Sequence, residues 1–244
     1  CGVLVMEHLP GRALRYETDL PAAAEILADI HSLPVPSGSG LLEPPRPARS
    51  IYEECQAMAE RYLTWDRAEG PAARLLETLI VEIGRLPLEE EGGAPRCVVN
   101  TELNSGNFLI NEGARSYLVD WEKPLIAEAA QDIAHFLAPT TTFWKTDTIL
   151  DREAVRRFLE HYRRAAAGRL DAGPLSRRLP LFLTVTCLRG VTWCAMALRE
   201  YAEPGRALTN PDTLRKMGTY LSEDFLRYLL ENYVRRDFLQ GVLP

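Results

Sequence analysis

The chain has 244 residues, 46% of them hydrophobic and 25% charged, a balance that suits a large buried core and excludes disordered and collagen-like classes. A net charge of −6 offers no basic stripe for nucleic acid and leaves a cationic small molecule admissible as a ligand. Five scattered cysteines (Cys1, Cys55, Cys97, Cys187, Cys194) without a Cys-x-x-Cys pair argue against a zinc ribbon or disulfide scaffold and fit a reducing cytoplasm.

In chain order, residues 2–6 read as a short buried strand, and Leu9-Pro10-Gly11 as a turn. Opening at Cys1 straight into this apolar run reads as a cut within a domain. A helix is predicted over 21–33, capped by Asp19 or Thr18, with His31 in its last turn where a donor suits the exposed carbonyls. Residues 34–47, rich in Pro, Gly and Ser, form a loop. Helices follow over 51–63 and 71–86, then a charged connector over 89–95 that includes Glu89-Glu90-Glu91. The β signal is confined to 97–99, 108–110 and 117–119. The remainder reads as helix over 127–137, 152–167, 176–199 and 211–232, with Asp151 and Asn210 as caps. The longest apolar stretch, 179–198, holds Arg189, Gly190 and several threonines. It is a core helix and not a membrane span, because a charge at mid-bilayer is costly. Cys187 and Cys194 are two small core residues of that helix.

Between the second and third strands lies the polar turn Asn111-Glu112-Gly113-Ala114-Arg115-Ser116. Centred between Gly113 and Ala114, it would pair Asn111 with Ser116, Leu109 with Leu118 and Asn107 with Asp120. The opposite face would hold Phe108 and Ile110 against Val119 and Tyr117. An amide oxygen beside a carboxylate is an oxygen pair of the hardness magnesium prefers, with waters and substrate phosphates completing the shell. On the hairpin alone, a turn hydrogen bond at Asn107 and a strand end at Asp120 is the simpler reading.

The segment Val99-Asn100-Thr101-Glu102-Leu103-Asn104-Ser105-Gly106-Asn107-Phe108-Leu109-Ile110, followed by Leu118-Val119-Asp120-Trp121-Glu122, resembles the catalytic segment of the aminoglycoside phosphotransferase and choline kinase-like family. There the blocks usually read like His-Gly-Asp-Leu-His-Pro-Gly-Asn and Ile-Asp-Trp-Glu. Leu4-Val5-Met6-Glu7-His8-Leu9-Pro10-Gly11 is similar to that family's hinge between lobes, Ala28-Asp29-Ile30-His31-Ser32-Leu33 to the helix end after it, and Asp132-Ile133-Ala134 to the start of a later helix. The pieces occur in family order.

The resemblance implies an α+β, mostly helical, protein-kinase-like C-terminal lobe with a small catalytic β-hairpin. Residues 1–11 would be the hinge from an absent N-terminal lobe. Residues 12–244 would be the helical lobe, carrying the catalytic loop and metal-binding hairpin at 97–122. It further implies an ATP- and Mg2+-dependent kinase acting on a small, hydroxyl-bearing and possibly cationic substrate, with neither nucleic acid nor membrane as partner. Asp120 would chelate magnesium, Asn107 would complete the coordination, and Glu102 would orient the attacking hydroxyl and accept its proton. The backbone at Met6, Glu7 and His8 would bind adenine, and Asp132 would brace the catalytic loop. Glu122 is either a further phosphate-side carboxylate or a solvated strand end.

Three departures stand out. Glu102 occupies the place of an aspartate and Asn100 that of a histidine. The lysines Lys123, Lys145 and Lys216 all lie outside any strand suited to the family's phosphate-binding lysine. The alternative is therefore a catalytically impaired, pseudokinase-like module that binds nucleotide or ligand. The four histidines (His8, His31, His135, His161) are widely separated and read as caps or satisfied core residues.

Overall fold

A computed structural model describes residues 3, 5–35, 37–68, 70–90, 93–203, 205, 210–236 and 238–242. Of the strand expected over 2–6, the described residues Val3, Val5 and Met6 are not in a strand. They are exposed, at 89%, 88% and 76%, because no described segment pairs with them; Gly2 and Leu4 lie outside the described residues, as do Cys1 and Glu91. The first strand comes later, at Arg12–Ala13 (β1), antiparallel to Phe108–Ile110 (β3). Gly11 permits that approach. A Cβ there would stand 2.8 Å from the Leu109 Cβ, and its φ of +139° is open to glycine alone.

Leu20–His31 (α1) buries Leu20, Ala23, Ala24, Leu27, Ala28 and His31 along one stripe, against Arg152–Ala166 (α6). Asp19 takes the N-cap position but makes no capping bond. Its carboxylate instead receives the Arg12 guanidinium at 2.5 and 3.1 Å and the Arg15 N–H at 2.8 Å, which ties β1 to the helix. Helix α2 (Pro47–Leu63) starts four residues before the expected 51, since Pro47 presets the first helical φ. It packs along α7 (Leu175–Tyr201), as Gly70–Ile83 (α3) does in part. An 18-residue window of α7 is long and apolar enough to cross a membrane, yet 72% of that window is buried inside the protein.

Two expectations over the middle and end of the chain fail. Residues 127–128 are not helical: Leu125–Glu128 (β5) pairs antiparallel with Arg96–Val99 (β2), and the helix begins at Ala129–Leu137 (α4). The pairing buries Cys97, Val99 and Ala127 in a small cluster, and this gain outweighs any helix propensity at Ala127-Glu128. The helix expected over 211–232 is three pieces, Pro211–Tyr220 (α8), Glu223–Leu229 (α9) and a π-helical turn Leu230–Val234. Ser222 breaks it by accepting the Phe225 N–H as a new N-cap. A short helix, Pro139–Lys145 (α5), occupies a stretch with no predicted element.

The three-stranded sheet β1-β3-β4 (β4, Tyr117–Leu118) sits on the helical core through one aromatic chain. Phe108 of β3 meets Phe136 of α4 edge-on at 5.4 Å, and Phe136 stacks on Phe158 of α6 at 4.8 Å. The hairpin is thus locked to α4 and, through it, to α6.

Candidate active site

The hairpin register differs from the expected one by a single residue. Phe108 faces Leu118 and Leu109 faces Tyr117, so the turn is centred on Gly113, whose φ is +74°. Phe108 and Ile110 therefore share their face with Leu118, which packs on the core, and not with Val119 and Tyr117. A slip of one normally moves a side chain to the opposite face. Asn107 and Asp120 nevertheless converge, for a different reason. Asp120 lies beyond the end of β4 with a φ of +62°, and this left-handed residue swings its carboxylate back to within 3.4 Å of the Asn107 amide nitrogen.

Thr101 is the second left-handed non-glycine, with a φ of +72°. Such conformations cost of order 1–3 kcal/mol each and persist only where surroundings over-determine them. Here the surroundings are explicit. The buried Asn100 amide donates to the Asp120 carbonyl at 3.1 Å, and its oxygen accepts the Glu102 N–H at 2.9 Å. The Asp132 carboxylate accepts the Asn100 and Thr101 N–H groups at 2.7 and 2.9 Å. His31 approaches the same carboxylate at 3.3 Å through Nε2, while its Nδ1 lies 2.9 Å from the Tyr162 hydroxyl. His31 is thus no helix-end cap; it is a buried link from α1 to Asp132. Asn100, in the place of a histidine, still supplies a donor and an acceptor, and holds the loop to Asp120.

Glu102 and Asn107 are joined by the loop itself, since Asn107 Nδ2 donates to the Glu102 carbonyl at 2.6 Å. A carbonyl only accepts, so the amide nitrogen must face it and the Asn107 oxygen is the end left for another partner. With the exposed Asp120 carboxylate, this gives one charged and one neutral oxygen donor. Such a set fits magnesium, which is usually held by one or two protein groups plus phosphates and water. Among the described residues, no group of three or more His, Cys, Asp or Glu side chains forms a metal cluster. Glu122 is exposed, with its carboxylate 3.9 Å from Lys123 Nζ.

The half-buried Glu102 carboxylate has its pKa raised, first by desolvation and further by the Asp120 and Glu122 charges; Arg189 and Lys123 pull the other way. It lines a cavity of about 400 Å³ together with Glu54, Trp144, Arg189, Trp193 and Tyr220. Arg189 Nη2 stands 3.9 Å from Glu102 and its Nε 3.1 Å from Glu54. A second cavity, of about 460 Å³, shares Glu54, Lys123, His135, Thr186 and Arg189 with the first. Both volumes suit a small molecule.

The structure therefore brings Glu102, Asn107 and Asp120 together. It leaves Met6, Glu7 and His8 exposed on an extended segment, with no side-chain bond to that cluster among the described residues. Sequence reasoning missed Arg189 and His135 as cavity residues. A lone arginine in the apolar stretch 179–198 was the available signal, since a charge there needs a polar destination.

A model of the phosphotransferase enzyme family matches residues 1–174. No curated protein matches the chain. Among solved structures, an ethanolamine kinase of Plasmodium vivax superposes with a TM-score of 0.59 at 18% identity, over 91% of this chain and 65% of that one. A choline kinase of Cryptosporidium parvum Iowa II gives 0.63 at 13% identity, over 98% and 72%. A spectinomycin phosphotransferase in complex with ADP and spectinomycin gives 0.54 at 14% identity, over 92% and 69%. The chain thus shares their fold while spanning roughly two thirds of their length.

Proposed function

Because the chain belongs to the phosphotransferase enzyme family, we propose that it is the C-terminal lobe of an ATP-dependent small-molecule kinase, with residues 1–11 as hinge and 12–244 as the lobe. The observation that carries this reading is the convergence of Glu102, Asn107 and Asp120, with Glu102 also lining a cavity sized for a small acceptor. Asp120 and Asn107 would hold magnesium, which when bound neutralises charge on the nucleotide phosphates. Glu102 faces the acceptor cavity, where it would orient the hydroxyl and take up its proton as the oxygen attacks the γ-phosphorus and ADP leaves. Its raised pKa favours proton uptake. Arg189, beside Glu102 and Glu54, keeps two neighbouring carboxylates from repelling a ligand that lacks a cation. The segment at Met6, Glu7 and His8 would offer its backbone to adenine.

The test is ATP turnover by the protein with a panel of hydroxyl-bearing acceptors. Turnover should saturate with acceptor, require magnesium, and fall by about a hundred- to a thousandfold in Asp120→Ala, as expected when transition-state charge loses its support. Unimpaired turnover in that variant would defeat the metal role. A second reading is motivated by the longer Glu102 side chain, held within 3.9 Å of Arg189. It is a module that binds nucleotide and acceptor without transfer, and measurable phosphoryl transfer excludes it.

A further inference from the structure

His135 stands where helix α4, the catalytic loop and both cavities meet. Its Nδ1 lies 3.1 Å from the Leu103 N–H. A backbone N–H only donates, so Nδ1 must be the acceptor and the ring proton resides on Nε2. Nε2 has no hydrogen-bond partner among the described residues. It is also not among the buried orphan atoms, which are the Tyr16 hydroxyl and Gln131 Oε1, so it is accessible, on a residue that lines both cavities. Burial, with help from the Arg189 cation, pushes the imidazole down to about 4, which keeps it a neutral donor at pH 7. A fixed N–H in a cavity wall penalises a ligand that offers it nothing and favours one that places an oxygen there.

Glu102, the residue before Leu103, lines the same cavity, so one ligand addresses both groups. Further along the wall, Trp144 meets Trp193 edge-on at 5.6 Å and Tyr220 at 5.7 Å, making flat apolar faces in a corner. Faces of this kind suit the C–H side of a saturated ring.

We propose that His135 is a specificity residue whose Nε2–H donates to a second oxygen of the acceptor, distinct from the hydroxyl facing Glu102. The acceptor is then a multiply oxygenated ring, and not an amino alcohol with a single oxygen. This rests on the kinase reading above, but its test separates the two.

Acceptor-dependent ADP release and calorimetric binding are measured with myo-inositol, spectinomycin, kanamycin, choline and ethanolamine. Two variants divide the roles of the imidazole. His135→Asn retains an acceptor for Leu103 and lacks the distal donor; His135→Gln retains a donor at that reach and releases Leu103. The expected result is a preference for a ring compound, with His135→Asn raising its KM about tenfold at unchanged kcat, the worth of one neutral hydrogen bond. His135→Gln should hold KM and lower kcat. A preference for choline or ethanolamine, an unchanged KM in His135→Asn, or no binding of any ring compound overturns the proposal. Ring-compound binding that weakens in His135→Asn without any ADP release in the wild type would sink the kinase reading and leave this inference standing.

Discussion

Glu128 and Asp132 stand one helical turn apart at the start of α4, and both carboxylates are buried. Glu128 takes a bidentate guanidinium, with Arg178 Nε and Nη2 at 2.7 and 2.8 Å, and so ties α4 to α7. Asp132 takes the backbone N–H groups of Asn100 and Thr101 and the His31 ring. The first couples element to element and acts on stability. The second fixes the dihedrals of a strained loop and acts on the position of Glu102. Burial alone does not tell the two apart; the identity of the donor does.

The comparison breaks most visibly at the ion pair. Arg178→Met should cost about 3–5 kcal/mol in denaturant unfolding, because Glu128 is left charged and alone. Adding Glu128→Met should restore most of that loss. Nucleotide and acceptor binding by the folded fraction should stay unchanged in both variants.

Asp132→Asn should show the opposite balance. One of its two N–H partners loses an acceptor, at about 1–3 kcal/mol. Turnover should fall about a hundredfold at temperatures where the variant is fully folded, the expected cost of misplacing Glu102 by about 1 Å. Equal loss in stability and turnover would mean Asp132 works as Glu128 does.

Asp19 is an intermediate case, a buried carboxylate serving both a backbone N–H and an ion pair. The Arg12 guanidinium, more than any other group, holds it down at about 2 against an ordinary 3.8. Its contribution is complete above the ordinary value and is lost as pH falls from about 4 towards 2. Over that window wild type should lose the stability that Arg12→Met has already lost at pH 7. The two unfolding curves should converge near pH 2. The smallest loss of stability is expected at Asn100→Ala, about 1 kcal/mol, together with a fall in turnover as Asp120 loses its backbone tie.

Much of this was legible in the sequence, and for identifiable reasons. The helix periodicities placed α1, α3, α6 and α7 to within a few residues, and the ordered motif at 99–122 marked the loop that the structure builds around Glu102, Asn107 and Asp120. The hairpin register was not legible, because it depends on where Gly113 takes its positive φ. The convergence of Asn107 with Asp120 was inferred from strand pairing but arises from a left-handed residue outside the strand. β5 escaped because four residues carry too little pattern to compete with the helix that follows. Arg189 and His135 escaped because residues distant in sequence create their environment.

In the proposed site Asp120 and Asn107 share one divalent ion despite the shifted register. Manganese can stand in for magnesium, and its binding in the presence of ADP can be titrated by electron paramagnetic resonance. A bound signal is expected in the wild type, with affinity weaker by at least about tenfold in both Asp120→Asn and Asn107→Ala. Wild-type affinity in both variants would contradict it.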